Sequence, residues 1–211
     1  MSQAEKETVF STLARESHAE MTEKRSRFIG HAAPVKTEKE ALDFIARIRH
    51  EYADATHNVY AYMLKDNNIA RYSDAGEPQG TAGIPVLEVI KKLGVTDCVV
   101  VVTRYFGGIL LGAGGLVRAY GASAKLACDG AGTVTYQPFT EFKIEAGYSD
   151  FNNLQPVLAR FDLKTDGTDY AEKVVLRLAV RSPEFESVRL AVTESTAGRV
   201  SVTETGTRVD F

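Results

Sequence analysis

Two glycine-rich stretches contain the residues whose types and spacing are suited to chemistry. The first covers 71 to 85 and reads RYSDAGEPQGTAGIP; the second covers 103 to 125 and reads TRYFGGILLGAGGLVRAYGASAK. Each is predicted to connect the end of a strand to the start of a helix. Unpaired backbone N–H groups and the positive end of the helix dipole meet at such a junction, and glycine allows a ligand to approach the backbone closely. This pattern is typical of an anion-binding site.

Four cationic side chains stand in or beside these stretches. Arg118 and Lys125 are seven residues apart, which predicts that they share one face of a helix. Arginine presents several N–H donors that suit phosphate, and we expect these arginines to project from the core toward solvent or ligand. The predicted residues for binding phosphate or nucleic acid are Arg71, Asp74, Glu77, Gly80, Thr81, Gly83, Arg104, Gly107, Gly108, Gly112, Gly114, Gly115, Arg118 and Lys125.

An alternative interpretation is that the glycines only shape turns and allow close helix packing, as single glycines usually do. The glycines at 107, 108, 112, 114 and 115 are crowded beside two arginines, and this crowding favours contact with a ligand. Neither stretch matches GxxxxGK[ST], and neither is a GxGxxG followed by a ribose-binding acid. A P-loop and a dinucleotide site are therefore excluded.

Two carboxylates and a histidine near the first stretch are open to two interpretations. Asp74 and Glu77 have the spacing of a catalytic or Mg²⁺-binding pair, but they also suit the start of the next helix, and we favour helix capping. His57 is either a general base or a hydrogen-bonded structural residue. The four histidines and two cysteines show no metal-ligand spacing, so we expect no metal and no cofactor.

Composition limits the class of protein. The chain has 211 residues, of which 44% are hydrophobic and 25% charged, as in ordinary globular proteins. The net charge of −3 argues against binding nucleic acid through a surface coated in basic residues. No apolar run approaches the ~20 residues of a membrane span, and the N-terminus lacks the pattern of a signal peptide. We expect a cytoplasmic protein with no membrane partner.

Periodicity predicts the elements that position the glycine-rich stretches. Thr37 and Glu40 form a capping box before an amphipathic helix that runs to about Glu51. The run CVVVVT predicts a central strand buried on both faces. The other predicted elements are a strand over 28–35, a hairpin of NVYAYML and IARY, a helix from Gly83 to Leu93 ended by Gly94, and a helix over 116–129 ended by Gly130.

After a break at residues 136 to 138, the predicted order is strand, helix, strand, strand, helix, strand. This order is that of the ferredoxin-like fold. Ser182 is predicted to cap its second helix, with Pro183 at the first helical position. The sequence therefore predicts an α+β protein with one domain over 1–136 and a second, acidic domain over 138–211, each able to fold alone.

The quoted stretches together with SRFIGHAAPV resemble the IMPACT/YigZ family over most of residues 20 to 136. The resemblance implies a first domain of the fold shared by a small-subunit ribosomal protein domain and the GHMP kinases, and a ferredoxin-like second domain. Ala75 departs from the family pattern, because many relatives are expected to carry a second acid there. The family is linked to translational control, and its eukaryotic members bind an activator of a translation-initiation-factor kinase.

We expect a non-enzymatic regulatory protein that binds RNA or the translation machinery, with ribosomes or translation factors as partners. The ligand would be a phosphate-containing group held by the glycine-rich junctions. The ferredoxin-like domain would add a second contact surface. One alternative is an enzyme acting on a phosphorylated small molecule, with Asp74, Glu77 or His57 in catalytic roles. Another is a protein-binding scaffold in translational control.

Overall fold

The computed structural model describes residues 9–211 and divides them into two compact units. The first unit spans Phe10–Thr135, and the second contains Tyr136–Phe211. The division lies beside the break expected at residues 136 to 138. It falls inside one strand, Thr133–Ala146, rather than in a loop. Within residues 9–211, no helix is both long and apolar enough to cross a bilayer.

The first unit is built on a five-stranded antiparallel sheet. Its strands are β2 (Ser17–Glu23), β3 (Ser26–Pro34), β4 (His57–Leu64), β5 (Ile69–Ser73) and β6 (Cys98–Tyr105), and the short strand β1 (Phe10–Leu13) is not part of it. The strand order is β2-β3-β6-β4-β5, so β6 is central. The helices are α1 (Glu38–Glu51), α2 (Gly83–Leu93) and α3 (Ala113–Ala131).

Strand β6 is buried on both faces, which confirms the prediction from CVVVVT. Side chains alternate along a strand, so its valines divide between two cores. Val99 and Val101 pack with residues of α1, whereas Val100 and Val102 pack with residues of α2 and α3. Helices α2 and α3 therefore lie on the same face of the sheet, and the two glycine-rich junctions are brought to that face.

The ends of the first-unit helices test the capping predictions. The backbone N–H of Glu40 donates to Thr37 Oγ1 at 3.2 Å, and α2 ends at Gly94 with a left-handed φ of 66°, both as predicted. The prediction that Gly130 ends α3 is wrong, because the helix continues to Ala131 and Gly132 takes the positive φ of 68°. Gly130 is needed for close packing instead, since a Cβ there would lie 2.5 Å from Ser17 Oγ.

The second unit has the ferredoxin-like βαββαβ order. Its elements are β7 (Thr133–Ala146), α4 (Tyr148–Leu158), β8 (Lys164–Tyr170), β9 (Val174–Arg181), α5 (Phe185–Ser195) and β10 (Val202–Asp210). These four strands pair antiparallel in the order β10-β7-β9-β8, and the two helices follow β7 and β9. The prediction that Ser182 caps α5 is wrong, because Ser182 lies in a short 3₁₀ turn and its hydroxyl pairs with Thr140.

Candidate functional site

The N-terminus of α2 is capped by a carboxylate of the protein itself. Asp74 Oδ1 accepts hydrogen bonds from the backbone N–H groups of Ala82 at 3.1 Å and Gly83 at 2.8 Å, and Oδ2 accepts one from Gly80 at 2.9 Å. This confirms that Asp74 caps the helix, where its charge complements the dipole. The Thr81 hydroxyl donates to the Pro78 carbonyl. These backbone N–H donors of the first junction are already paired, so an external anion would have to displace the Asp74 carboxylate in order to bind them.

The N-terminus of α3 has no such cap. Gly112 is the N-cap residue, with φ 70° and no side-chain hydrogen bond. The Leu116 N–H pairs with the Gly112 carbonyl, but the N–H groups of residues 113 to 115 receive no side-chain acceptor in the described part of the chain. These three N–H groups, on two glycines and an alanine, are the open donors of the second junction. Unpaired N–H groups at a helix start are the anion-binding geometry that the sequence predicted.

Arg118 adds a positive charge at the same helix end. Helical side chains point back toward the N-terminus, so a residue reaches the turn that precedes it. Arg118 Nη1 lies 3.7 Å from the position that a Cβ on Gly114 would occupy. Both Arg118 and Gly114 are exposed. The start of α3 therefore combines uncapped N–H groups with an accessible guanidinium.

Arg104 does not project to solvent, and that expectation was wrong. Its side chain is 6% exposed, and Nη1 donates to Glu77 Oε1 at 2.5 Å. The Tyr120 hydroxyl donates to the same oxygen at 2.7 Å. Burial, and then the hydrogen bond to Glu77, raises the pKa of Tyr120, so the hydroxyl keeps its proton. The cause of the error is position: Arg104 ends β6 on the face covered by helices, where a charge requires a partner.

His57 lies beside this buried pair with its tautomer set by the backbone. Nδ1 is 2.9 Å from the Ala75 carbonyl oxygen, which can only accept, so Nδ1 carries a proton. Nε2 then lies 3.7 Å from Glu77 Oε1. The Ala75 carbonyl is turned toward the ring by a loop in which Ala75 has φ 47° and Gly76 has φ 90°. A left-handed alanine stores backbone strain, which is common at functional sites.

A cleft of about 450 Å³ opens above these groups. Arg104, Glu77 and His57 line it together with Gly112 and Ala113 from the start of α3. Most of the remaining lining is apolar, and Leu110 on its rim is 83% exposed. The apolar lining residues are Pro78, Phe106, Leu110, Leu111 and Leu116. Apolar walls with a few convergent polar groups are typical of a ligand site.

Several predicted site residues lie elsewhere. Arg71 is paired with Tyr62 in the sheet, and this position faces the α1 core rather than the α2 and α3 core. Lys125 donates to Asp129 at 2.7 Å and lies twelve residues beyond Ala113, about 18 Å along the helix. Gly107 has a packing role, because a Cβ there would overlap the Arg25 carbonyl. The structure therefore groups Gly108, Gly112, Gly114, Gly115 and Arg118 near the second junction.

Tyr120 and Phe106 are among the residues of the site that were not predicted. Tyr120 lies on the apolar face of α3, four residues after Leu116, and is fully buried. A buried tyrosine hydroxyl requires a hydrogen-bond partner. The sequence could therefore indicate that Tyr120 has such a partner, but not that the partner is Glu77. Phe106 is 46% exposed within a glycine-rich loop, and an exposed aromatic there is a second signal that the sequence could supply.

The carboxylates do not form a metal centre in residues 9–211. Asp74 points to the start of α2, whereas Glu77 points to Arg104. No group of three His, Cys, Asp or Glu side chains in that range could hold a metal ion. The candidate pair of Asp74 and Glu77 thus divides into a helix cap and a buried ion-pair partner.

The protein is an α+β protein of two units. In the first unit, the uncapped start of α3 lies beside a cleft that has polar groups at its base. Residues 24–128 match the family described as the Impact N-terminal domain. Residues 144–199 match a second family, described as a domain of unknown function. The chain belongs to the IMPACT family.

Relatives in bacteria match most of the chain. The IMPACT family member YvyE of Bacillus subtilis is 37% identical over 196 residues, which cover 92% of this chain and 90% of that protein. The IMPACT family member YigZ of Escherichia coli is 38% identical over 160 residues, covering 74% and 78%. Human Protein IMPACT is 37% identical over 98 residues, which cover 44% of this chain and 30% of the human protein.

A solved structure is similar to this chain over most of its length. It is a crystal structure described only as that of "an hypothetical protein", and it is 31% identical in sequence. The match covers 94% of this chain and 98% of the other, with a TM-score of 0.59. The α+β fold predicted from the sequence is therefore confirmed.

Proposed function

We propose that this protein is a non-enzymatic regulator of translation that binds RNA phosphates at the start of α3. The single observation that carries the proposal is the contrast between two helix ends. Asp74 caps α2, whereas α3 presents the N–H groups of residues 113 to 115 uncapped beside Arg118. Backbone N–H groups at a helix start are a recurrent phosphate site, and arginine strengthens it. The link to translation rests on the family resemblance.

The partners of the carboxylates support a binding role over a catalytic one. Asp74 accepts three backbone hydrogen bonds, and Glu77 Oε1 accepts from both Arg104 and Tyr120. A carboxylate that acts as a general base has to be free to take a proton. These two carboxylates are instead engaged in holding the loop and the helices together.

The second unit contributes little positive charge to an RNA surface. Arg208 pairs with Asp166 at 2.7 Å and with Glu141 at 3.0 Å. Arg177 pairs with Asp169 at 2.7 Å. Cations already neutralised by neighbouring carboxylates release few counterions from RNA. We therefore assign the phosphate contacts to the first unit, and the second unit adds at most contacts of another kind.

The test compares two charge deletions on the same helix. Arg118→Ala removes the guanidinium at the start of α3, and Lys125→Ala removes an equal charge about 10 Å further along. With a short unstructured RNA oligonucleotide as the probe, Arg118→Ala should weaken binding roughly tenfold or more. It should also flatten the slope of log affinity against log salt by about one unit. Lys125→Ala should change neither strongly.

Gly114→Val offers a test that leaves charge intact. A Cβ at position 114 meets only the Arg118 Nη1, at 3.7 Å, so the substitution fits the fold. It should block approach to the backbone N–H groups and lower affinity with nearly the same salt slope. RNA binding that is equal in the wild type and in all three variants would refute the placement of the site. Absence of RNA binding by the wild type would refute the proposed function.

One observation favours a second candidate, an enzyme acting on a phosphorylated small molecule. His57 lines the same cleft as Gly112 and Ala113, so an imidazole lies near the uncapped start of α3. Native mass spectrometry of the purified protein distinguishes the two candidates. A tightly held nucleotide or sugar phosphate that is chemically altered on incubation would establish the enzyme, whereas copurified RNA would support the regulator.

A further inference from the structure

We propose that the cleft beside α3 binds one unpaired nucleotide, with the base inside the cleft and its phosphate on the N–H groups at the start of α3. The inference deepens the proposed function and rests on it. It specifies single-stranded rather than double-stranded nucleic acid. A base enters such a cleft only when it is neither stacked nor paired, so a duplex is excluded.

The size and composition of the cleft fit a nucleobase. Its volume of about 450 Å³ lies in the range of roughly 300–1,000 Å³ that is usual for small-molecule sites. The walls are largely apolar, as a planar ring requires. Gly112 and Ala113 form part of the wall, so the uncapped helix start stands at the edge of the cleft. One ligand can therefore place its ring in the cleft and its phosphate on the helix.

The floor of the cleft contains one buried donor without a partner. Arg104 lines the cleft with a side chain that is 6% exposed, and its Nε makes no hydrogen bond within the described residues. A buried polar group without a partner is unfavourable, so a ligand that pairs with it gains affinity. The edge of a nucleobase carries acceptors as well as donors. A purely apolar ligand would leave Arg104 Nε unpaired.

Phe106 supplies a stacking surface at the mouth of the cleft. Its side chain lines the cleft and is 46% exposed. The Arg104 guanidinium carbon lies 5.5 Å from the ring centroid, an attraction that holds the ring over the floor. Exposed aromatic rings beside a phosphate site are the usual platform for unpaired bases. This combination accounts for an exposed aromatic residue that packing within the fold does not explain.

A free nucleotide and a single-stranded RNA would present the same chemistry, so the experiment has one arm for each. The full-length protein is titrated with an RNA oligonucleotide containing 2-aminopurine, with its duplex, and with adenosine monophosphate. We expect the single strand to bind at least about tenfold more tightly than the duplex. The 2-aminopurine fluorescence should change on binding, because the base leaves its stacked neighbours.

Three substitutions isolate the contribution of the ring. Phe106→Ala should weaken single-strand binding by about tenfold to a hundredfold, since stacking on one base contributes that much. Phe106→Tyr keeps the aromatic face and should restore binding. Ile109→Ala is the matched control, because Ile109 is exposed in the same loop but does not line the cleft. It should leave binding unchanged.

The outcomes separate this inference from the proposed function. If Phe106→Ala leaves RNA affinity unchanged and the protein binds duplex and single strand equally well, the inference is wrong. That result would not refute the phosphate site at the start of α3. Adenosine monophosphate binding that requires Phe106, without RNA binding, would support the nucleotide cleft and overturn the proposed function. Absence of binding in both arms would overturn both.

Discussion

Arg104→Met should destabilise the first unit strongly, although the sequence predicted that Arg104 projects from the core. The change leaves Glu77, whose side chain is 4% exposed, with the Tyr120 hydroxyl and His57 but without the guanidinium. Removal of one partner from a buried ion pair costs about 3–5 kcal/mol. For a chain of this length each kcal/mol lowers Tm by roughly 2–4 °C. We therefore expect a decrease in Tm of roughly 6–20 °C.

An exposed pair in the same sheet provides the control. Arg27 Nη2 lies 2.7 Å from Glu20 Oε2, as short as a buried pair, but the side chains are 50% and 48% exposed. Water and salt screen such a pair, so Arg27→Met should leave Tm nearly unchanged. The two substitutions remove the same group and the same charge. A difference between them reports the burial of Arg104 together with its further hydrogen bond to Ser26.

A double substitution tests the origin of the loss. Glu77→Leu with Arg104→Met removes both charges, and it should be less destabilising than the sum of the single changes because no unpaired charge remains. The protein contains no tryptophan, so far-ultraviolet circular dichroism in urea is the suitable probe. An Arg104→Met variant that melts with the wild type would refute the reasoning. Arg104 would then be free to serve as a ligand residue.

Two further predictions follow from burial and from the separate cores. Burial lowers the pKa of His31 to about 4 from an ordinary 6.5, so the unfolded chain binds the proton first and stability is lost as the pH falls through this window. His31→Leu should flatten the dependence of the urea midpoint on pH between 4 and 6.5, whereas exposed His50→Leu should not. The described residues before and after position 135 have separate hydrophobic clusters, so the fragments 1–136 and 138–211 should each unfold cooperatively by themselves, and failure of both would disprove independent folding.

Local sequence determined the identity of most elements. The Thr37 cap, the Gly94 stop and the central position of CVVVVT followed from short-range patterns, because capping bonds and side-chain alternation involve residues within one turn or one strand. The ends of α3 did not follow. The helix continues through Gly130 to Ala131, and a Cβ at position 130 would lie 2.5 Å from Ser17 Oγ, more than a hundred residues away in sequence.

The candidate site was determined only in part by the sequence. The pattern of glycines and arginines placed anion-binding geometry at two helix starts and favoured a cap by Asp74, but the tertiary structure showed that the start of α3 has no side-chain cap. Asp74 accepts hydrogen bonds from the backbone at the start of α2, and Lys125 lies well beyond the start of α3. Arg104 meets Glu77 across 27 residues, and Glu77 meets Tyr120 across 43. The environment of a charge depends on partners that are distant in sequence, and chain packing alone brings those partners together.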